Sequence, residues 1–274
     1  MKTVSDMRTF VSKHLKGTSS QHRSLGLHIG ACESIMQHKS STGDFENQLR
    51  TEHNLLQGFD MKFCQQFIED SVLRCFPMVY VLRLLCLYSL TWGGIPTRLF
   101  QQWKNDFLQS YGYQHLLTLH KLRKAGLLVE QDSVSTVSLP KIGVRKSRFA
   151  SIAKLLNLLP SRQNECDLRN PTDVSYLYNG SYTPLTYRLV EQLLLADRIP
   201  GLNEALRNFS YAYHTQEVRN IGPYSDRNVL VFFLGGCSYS ELAALRMLGR
   251  SLEINIVVAS TSFFGGEKFL KTLA

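Results

Sequence analysis

The residues with the most evident chemical potential lie in the stretch FLGGCSYSE, Phe233 to Glu241. Two adjacent glycines, Gly235 and Gly236, precede Cys237 and Ser238 at the start of a predicted helix. Backbone amides at such a turn can cradle phosphate, but a third glycine and a Gly-Lys-Ser/Thr sequence are both missing. The thiol or the hydroxyl could act as a nucleophile, yet the Gly-x-Ser-x-Gly elbow and a placed His or Asp are also missing. The pattern favours a tight structural turn, and a nucleotide-binding enzyme remains an alternative.

The segments on either side of this turn must position it. The apolar run Val229 to Leu234 predicts a strand buried on both faces, and Ile254 to Ala259 predicts a second, parallel strand. Between them, Ser238 and Glu241 have capping-box spacing at the start of an amphipathic helix. Two parallel strands alone make a marginal sheet. We therefore interpret this end of the chain as the returning half of a larger α/β domain.

The rest of the chain reads as mainly helical. Apolar residues recur at helical spacing between glycine and proline breaks, such as Pro77 and Gly93-Gly94. The predicted helices are Ser5 to Leu15, about Gln21 to His38, about Asp44 to Gln57, Pro77 to Leu90, Pro96 to Leu108, about Tyr113 to Lys124, Leu185 to Leu195 and Leu202 to Phe209. An ordered turn is expected at Asn179-Gly180, and residues 132–154 are expected to form a basic loop.

A winged-helix nucleic-acid module is a second alternative. A helix that ends in Lys121, Arg123 and Lys124, followed by a strand such as Leu127 to Glu130, has the required order of elements. Acidic residues at the supposed wing argue against it, and basic residues are favoured at any helix C-terminus by the macrodipole.

Composition predicts a globular protein, and its positive charge favours acidic partners or an anionic membrane surface without naming either. Among 274 residues, 44% are hydrophobic and 19% are charged, with a net charge of +9. We find no apolar signal region near Met1 and no membrane span, so we expect a cytoplasmic protein. The six cysteines lack a C-x-x-C pair and read as reduced core thiols: Cys32, Cys64, Cys75, Cys86, Cys166 and Cys237. His28 and Cys32 lie four residues apart, but without a second ligand pair we expect neither metal nor cofactor.

Several stretches together resemble the SM (Sec-one/Munc-eighteen) family of regulators of SNARE-mediated membrane fusion, and within it the B-type vacuolar protein sorting thirty-three branch. They are SLGLHIGACESIM, TEHNLLQGF, SYGYQHLLTLHKLRKAGLLVEQ, DVSYLYNGSYTPLTYRLVEQLL, FLGGCSYSELAALRMLGR and INIVVASTSFFGGEKFLKTL, in the family's order. The resemblance covers nearly the whole chain, and its motifs are packing motifs.

The resemblance implies a mainly α-helical domain followed by the returning half of a central α/β domain, an SM-family fold truncated at its N-terminus. It divides the chain into residues 1–58, a remnant of a helical hairpin arm, residues 59–213, the helical domain, and residues 214–274, the α/β end. It also implies a non-enzymatic function, vesicle docking and SNARE-mediated fusion in the endosome–lysosome pathway.

The implied partners are SNARE proteins and a helical-solenoid vacuolar sorting subunit of the spermatogenesis-defective thirty-nine type, with no nucleic acid. The helical region and the α/β end would dock the solenoid subunit. Through such partners the protein would associate peripherally with late endosomes and lysosomes. On the hairpin arm, the resemblance and the helical stripe point to Met7, Arg8, Phe10 and Lys13 as SNARE-facing residues. Because strand Val229 to Leu234 lacks sheet neighbours, we also expect the isolated chain to aggregate.

Overall fold

The structure is a computed structural model that describes residues 16–42, 44–131, 148–160, 171, 173–195 and 228–273. The chain divides into two compact units, Met1–Arg50 and Thr51–Ala274. The mainly helical architecture with a C-terminal parallel α/β segment confirms the predicted fold class. The predicted domain boundaries after residues 58 and 213 stay predictions.

The first unit contains helix α1, Lys16–Thr42, and the start of helix α2, Phe45–Gln57. Both helices were predicted, and α1 is longer than expected at each end. Every α1 side chain from residue 18 to residue 37 is exposed. The helix predicted for Ser5 to Leu15 lies outside the described residues.

The second unit begins within α2 and continues as a helical core. Its elements are α3, Met61–Leu73; α4, Met78–Trp92; β1, Ile95–Pro96; α5, Thr97–Tyr111; a 3-10 turn, Tyr113–His115; α6, Leu116–Lys124; and β2, Glu130–Gln131. The short strands β1 and β2 pair in parallel. The core is centred on α4, which contributes six fully or nearly buried apolar side chains: Val81, Leu82, Leu84, Leu85, Cys86 and Tyr88. Such an all-round apolar helix is typical of a buried core position.

Local sequence explains where α4 begins and ends. Pro77 precedes its first residue, where the missing N–H costs no helical hydrogen bond. Gly93 ends it in the left-handed conformation, with φ of 69°. Before α4, Cys75 also has a positive φ of 52°, and the Tyr111 hydroxyl donates to the Phe76 carbonyl at 2.5 Å. The chain therefore bends between α3 and α4, as the position of Pro77 predicted.

A smaller apolar cluster follows in α7, Arg148–Leu155, and in α8, Leu185–Leu195. Ala153, Leu156 and Leu158 are buried in this cluster, and Phe149 and Leu189 pack against it. The prediction of a loop through residue 154 is therefore wrong for its last seven residues. They form a helix because their apolar side chains, at helical spacing, pack in this cluster. A 3-10 turn, Val174–Tyr178, precedes the predicted turn at Asn179, whose φ is 53°.

The α/β segment contains β3, Asn228–Phe233; α9, Tyr239–Ser251; β4, Asn255–Ser260; and α10, Gly266–Leu273. The two strands pair in parallel from Asn228 opposite Asn255 to Phe233 opposite Ser260. Helix α10 returns to the helical core, where Leu270 is 5% exposed and packs in the α4-centred cluster.

Two expectations about burial are wrong. Strand β3 is not buried on both faces: Leu230 and Phe232 are 66% and 57% exposed, whereas Val229, Val231 and Phe233 are half-buried, because the described elements leave one face of the strand uncovered. Cysteines are not all core thiols either: Cys32 and Cys75 are exposed, whereas Cys64, Cys86 and Cys237 are buried. Cys166 lies outside the described residues.

Candidate functional site

The glycine turn between β3 and α9 has the structural role that its sequence predicted. Gly235 and Gly236 have φ values of 98° and 135°, which favour glycine. A Cβ atom on Gly236 would lie 1.9 Å from Cε1 of Phe264. The ring therefore fills the space that the missing side chain leaves, and it stacks on Phe269 of α10 with centroids 5.8 Å apart.

The capping box that closes the turn is complete. The Ser238 hydroxyl oxygen accepts from the Glu241 amide at 3.2 Å, and the Ser238 amide donates to a Glu241 carboxylate oxygen at 2.9 Å. The second carboxylate oxygen of Glu241 accepts from the Thr186 hydroxyl of α8 at 3.1 Å. Glu241 thus joins the helical part to the α/β part, in addition to capping α9.

This geometry does not favour a phosphate site at the turn. The anion position at the N-terminus of α9 is occupied by the protein's own carboxylate, which would repel a phosphate. The neighbouring amides of Gly235 and Cys237 donate to the Thr261 hydroxyl and the Ser262 carbonyl, both at 3.0 Å.

Cys237 is equally poorly placed as a nucleophile. Its side chain is 1% exposed, and burial, with the Glu241 carboxylate, raises the pKa of its thiol above the ordinary value. The reactive form of a cysteine is the thiolate, so this environment suppresses reactivity.

The polar contacts around Glu241 extend to a tyrosine pair. Burial raises the pKa of the Tyr178 hydroxyl, and the side chains of Ser240 and Ser238 partly offset this increase. The ring of Tyr178 meets Tyr182 edge to face, with centroids 5.4 Å apart. Just after the turn at Asn179, the Ser181 hydroxyl lies 2.8 Å from Nδ1 of His53 in α2. These contacts hold neighbouring elements together, so these side chains have a structural role.

The winged-helix alternative is not favoured by the arrangement around α6. Its basic residue Arg123 forms an ion pair with Glu130 at 3.2 Å, and the guanidinium lies over the Phe100 ring at 5.2 Å from its centroid. The strand after α6 pairs in parallel with β1, whereas a wing is an antiparallel hairpin.

The site residues predicted from sequence, Met7, Arg8, Phe10 and Lys13, lie outside the described residues. The predicted neighbour of that segment, α1, is described, and its apolar residues are exposed: Leu25, Leu27, Ile29, Ile35 and Met36. The helix face that carries Leu25, Ile29, Ile35 and Met36 was visible in the sequence, whereas Leu27 lies on another side of the helix. The exposure of these residues was not visible, because exposure depends on tertiary contacts.

Two further features concern metals and membranes. Nδ1 of His28 donates to the Ser24 carbonyl at 2.7 Å, and nowhere in the described ranges do three His, Cys, Asp or Glu side chains converge on a possible metal site. Among the described helices, none combines the length and the apolar character that crossing a membrane requires.

A helical core followed by a parallel α/β end, with a capped turn between β3 and α9, is consistent with the SM type of architecture. The chain belongs to the Sec1 family, whose model matches residues 1–272. This confirms the family predicted from the quoted stretches.

Similar proteins agree with the predicted branch. The chain is 38% identical to vacuolar protein sorting-associated protein 33B of Danio rerio over 98% of its length, and 37% identical to the Homo sapiens protein of the same name over 99%. It spans 48% of each, so the chain spans about half the length of these curated relatives. A crystal structure of the Unc18–syntaxin 1 complex from Monosiga brevicollis aligns over 97% of this chain and 41% of that chain, with a TM-score of 0.56 and 13% identity. That likeness shows the fold.

Proposed function

We propose that this chain acts in membrane traffic, as a regulator of vesicle docking and SNARE-mediated fusion that works by protein–protein binding rather than by catalysis. The observation that carries the proposal is a long helix, α1, with exposed apolar side chains in a member of the Sec1 family. Exposed apolar helix faces mark binding surfaces for other proteins.

The pathway proposed is transport from endosomes to lysosomes. It is supported by the names of the relatives, which are vacuolar protein sorting proteins. We place the protein in the cytoplasm, associated peripherally with late endosomes and lysosomes through its partners.

SNARE proteins are the first proposed class of partner. One solved structure with a similar fold is the Unc18–syntaxin 1 complex, which is support by analogy. In this chain Met7 and Phe10 would pack on a SNARE helix, while Arg8 and Lys13 would meet its acidic side chains.

A helical-solenoid vacuolar sorting subunit, of the spermatogenesis-defective thirty-nine type, is the second proposed partner. The helical region and the α/β end would form its docking surface. Exposed aromatic and apolar side chains at the α/β end have the character of interface anchors, among them Tyr239, which stacks on Phe263 at 5.8 Å.

Binding of purified full chain to SNARE motifs and to the solenoid subunit tests the proposal. We expect Met7→Asp with Phe10→Asp to weaken SNARE binding, and Thr9→Asp, on the opposite side of the predicted helix, to leave it unchanged. Recovery of nucleic acid from cytosol, without SNARE or solenoid subunit, would contradict the proposed function.

A further inference from the structure

The outward face of α9 presents one aromatic side chain and two arginines: Tyr239, Arg246 and Arg250. Tyr239 is 71% exposed, and both arginines are exposed as well. At about 100° per residue, the three side chains lie within an arc of about 40°. The buried residues of α9 are centred on the opposite side of the helix: Ala244, Leu245, Leu248 and Gly249. One face of α9 therefore packs on the protein, and the other presents a line of Tyr and Arg side chains.

The two arginines of α9 have no acidic partner. Within the described part of the chain neither forms an ion pair, although Arg83, Arg123 and Arg188 each pair with a glutamate. Like charges four residues apart repel one another and destabilise a helix. The helix macrodipole favours a base in the last turn, which accounts for Arg250 but not for Arg246. Folding of the chain alone thus leaves the repulsion between the two charges uncompensated.

This face has the chemistry of a protein interface. Tyr and Arg, with Trp, are the residues that contribute most often to binding hot spots. The ring of Tyr239 stacks on Phe263, which is 37% exposed, with centroids 5.8 Å apart. The stack orients the tyrosine ring without covering it, so binding would immobilise little further. A guanidinium group binds a carboxylate through two parallel hydrogen bonds. The complementary groups are therefore an apolar side chain at the aromatic stack and a carboxylate at each arginine.

The spacing along α9 indicates which structure carries these groups. Tyr239 and Arg246 are about 10 Å apart along the helix axis, and Arg246 and Arg250 are about 6 Å apart. Residues seven and four positions apart on one face of a second α-helix have the same spacings. In an extended strand, side chains on one face repeat about every 7 Å, which fits the two arginines but not the tyrosine. The matching partner is an α-helix with one apolar and two acidic residues.

An anionic membrane or a nucleic acid fits this face less well. Basic clusters that bind acidic lipids contain about four to eight Lys or Arg residues. The outward face of α9 has two, and the exposed Glu253 follows Arg250 by three residues. Nucleic acids are likewise bound through many phosphate contacts at once. Two arginines match a partner with two carboxylates.

We propose that the outward face of α9 binds one acidic α-helix of a protein partner. An apolar side chain of that helix packs on Tyr239 and Phe263, and two of its carboxylates bind Arg246 and Arg250. This inference goes beyond the proposed function, because it assigns a binding surface to the α/β end whether or not SNARE proteins bind elsewhere on the chain.

Binding of a designed peptide to the full chain tests the proposal. The peptide is an alanine-based helix with one Leu and, seven and eleven residues further along, two Glu residues. Its control has Gln in place of both Glu residues. By fluorescence anisotropy of the labelled peptides, we expect the Glu peptide to bind about tenfold more tightly than the Gln peptide, as two partly exposed ion pairs allow. Raising the ionic strength should reduce this difference, because salt screens exposed charges.

Matched variants separate this face from the overall positive charge. Arg246→Glu with Arg250→Glu should abolish the preference for the Glu peptide and create a preference for a peptide with Lys at the same two positions. Lys62→Glu with Arg98→Glu is the control, because it changes the net charge equally at exposed residues of α3 and α5. It should keep the preference for the Glu peptide. Tyr239→Ala should weaken binding of the Glu and Gln peptides by the same factor. Far-UV circular dichroism checks that each variant keeps its helix content.

Three results would overturn the inference. The first is equal binding of the Glu and Gln peptides to the unmodified chain. The second is loss of the preference in the Lys62 and Arg98 variant to the same extent as in the α9 variant, since binding would then follow net charge. The third is binding of phosphatidylcholine–phosphatidylserine vesicles that the α9 variant loses and that the Glu peptide does not displace, which would assign the surface to lipid. SNARE binding is measured separately with the Met7 and Phe10 variant, so failure of this inference leaves the proposed function standing.

Discussion

Replacement of Gly236 by Ala tests how the α/β end is fixed to the helical core. A Cβ at this position would lie 1.9 Å from Cε1 and 2.7 Å from Cδ1 and Cζ of Phe264, so the ring must move away. Backbone strain from the φ of 135° costs about 1–3 kcal/mol in a non-glycine residue. Loss of the Phe264 stack on Phe269 adds about 0.5–1.5 kcal/mol. We expect Gly236→Ala to lower the free energy of unfolding by about 3 kcal/mol.

Gly235→Ala is the matched control. Its φ of 98° is also positive, but a Cβ there meets no atom within 4 Å, so it carries strain without a clash. We expect it to cost about 1–2 kcal/mol, the penalty of the left-handed conformation alone.

Urea unfolding followed by tryptophan fluorescence measures both variants. The chain has two tryptophans, Trp92 and Trp103, and both lie in the second unit, where Trp103 is 2% exposed. In a Phe264→Ala background the clash disappears, so Gly236→Ala should then cost no more than Gly235→Ala. Equal costs of the two glycine variants in the native background would refute the reasoning.

Further predictions concern the cap, an ionisable tyrosine, α10 and the open sheet face. Glu241→Ala removes the carboxylate half of the α9 capping box and an inter-element hydrogen bond, and should cost about 2 kcal/mol in urea unfolding. Burial raises the pKa of Tyr111 to about 12, whereas an unfolded tyrosine ionises near pH 10. The unfolded state therefore loses this proton first, and the free energy of unfolding falls as the pH rises from about 10 to 12. Tyr111→Phe should flatten this part of a plot of stability against pH. Leu270→Ala should cost about 3 kcal/mol by thermal unfolding, because the side chain is buried in the core. Phe232→Glu should reduce light scattering by the isolated chain, and unchanged scattering would show that the open sheet face does not drive aggregation.

The glycine turn and its cap could be predicted because their causes are local. The spacing from Ser238 to Glu241 specifies the capping hydrogen bonds, and positive φ values require glycine. The same is true of α8, whose bounds, Leu185 to Leu195, agree with the prediction residue for residue.

Elements whose signals compete with other patterns were missed or assigned wrongly. Helix α3, Met61–Leu73, was not predicted, although its buried residues Cys64, Phe67, Ile68 and Val72 recur at helical spacing. The basic residues of α7 led to the prediction of a loop, although its apolar residues are spaced as in a helix and pack in the smaller core.

Burial was the least predictable property. The run Val229 to Leu234 is equally apolar along its length, yet its side chains alternate between covered and exposed faces. Which face is covered depends on tertiary contacts, and the sequence of the strand contains no information about them. For the same reason the exposure of the apolar residues of α1 could only be found in the structure.

The position of Leu270 has a consequence for the synthesis of this protein. Its partners in the core end near Leu128, about 140 residues earlier in the chain. At about 5–20 residues per second, a ribosome needs roughly 7–30 s to translate that distance. Throughout this interval the α4-centred core is without the helix that closes it, and its apolar residues are available to chaperones. Folding of the helical region is thus linked to completion of the α/β end, which is translated after it.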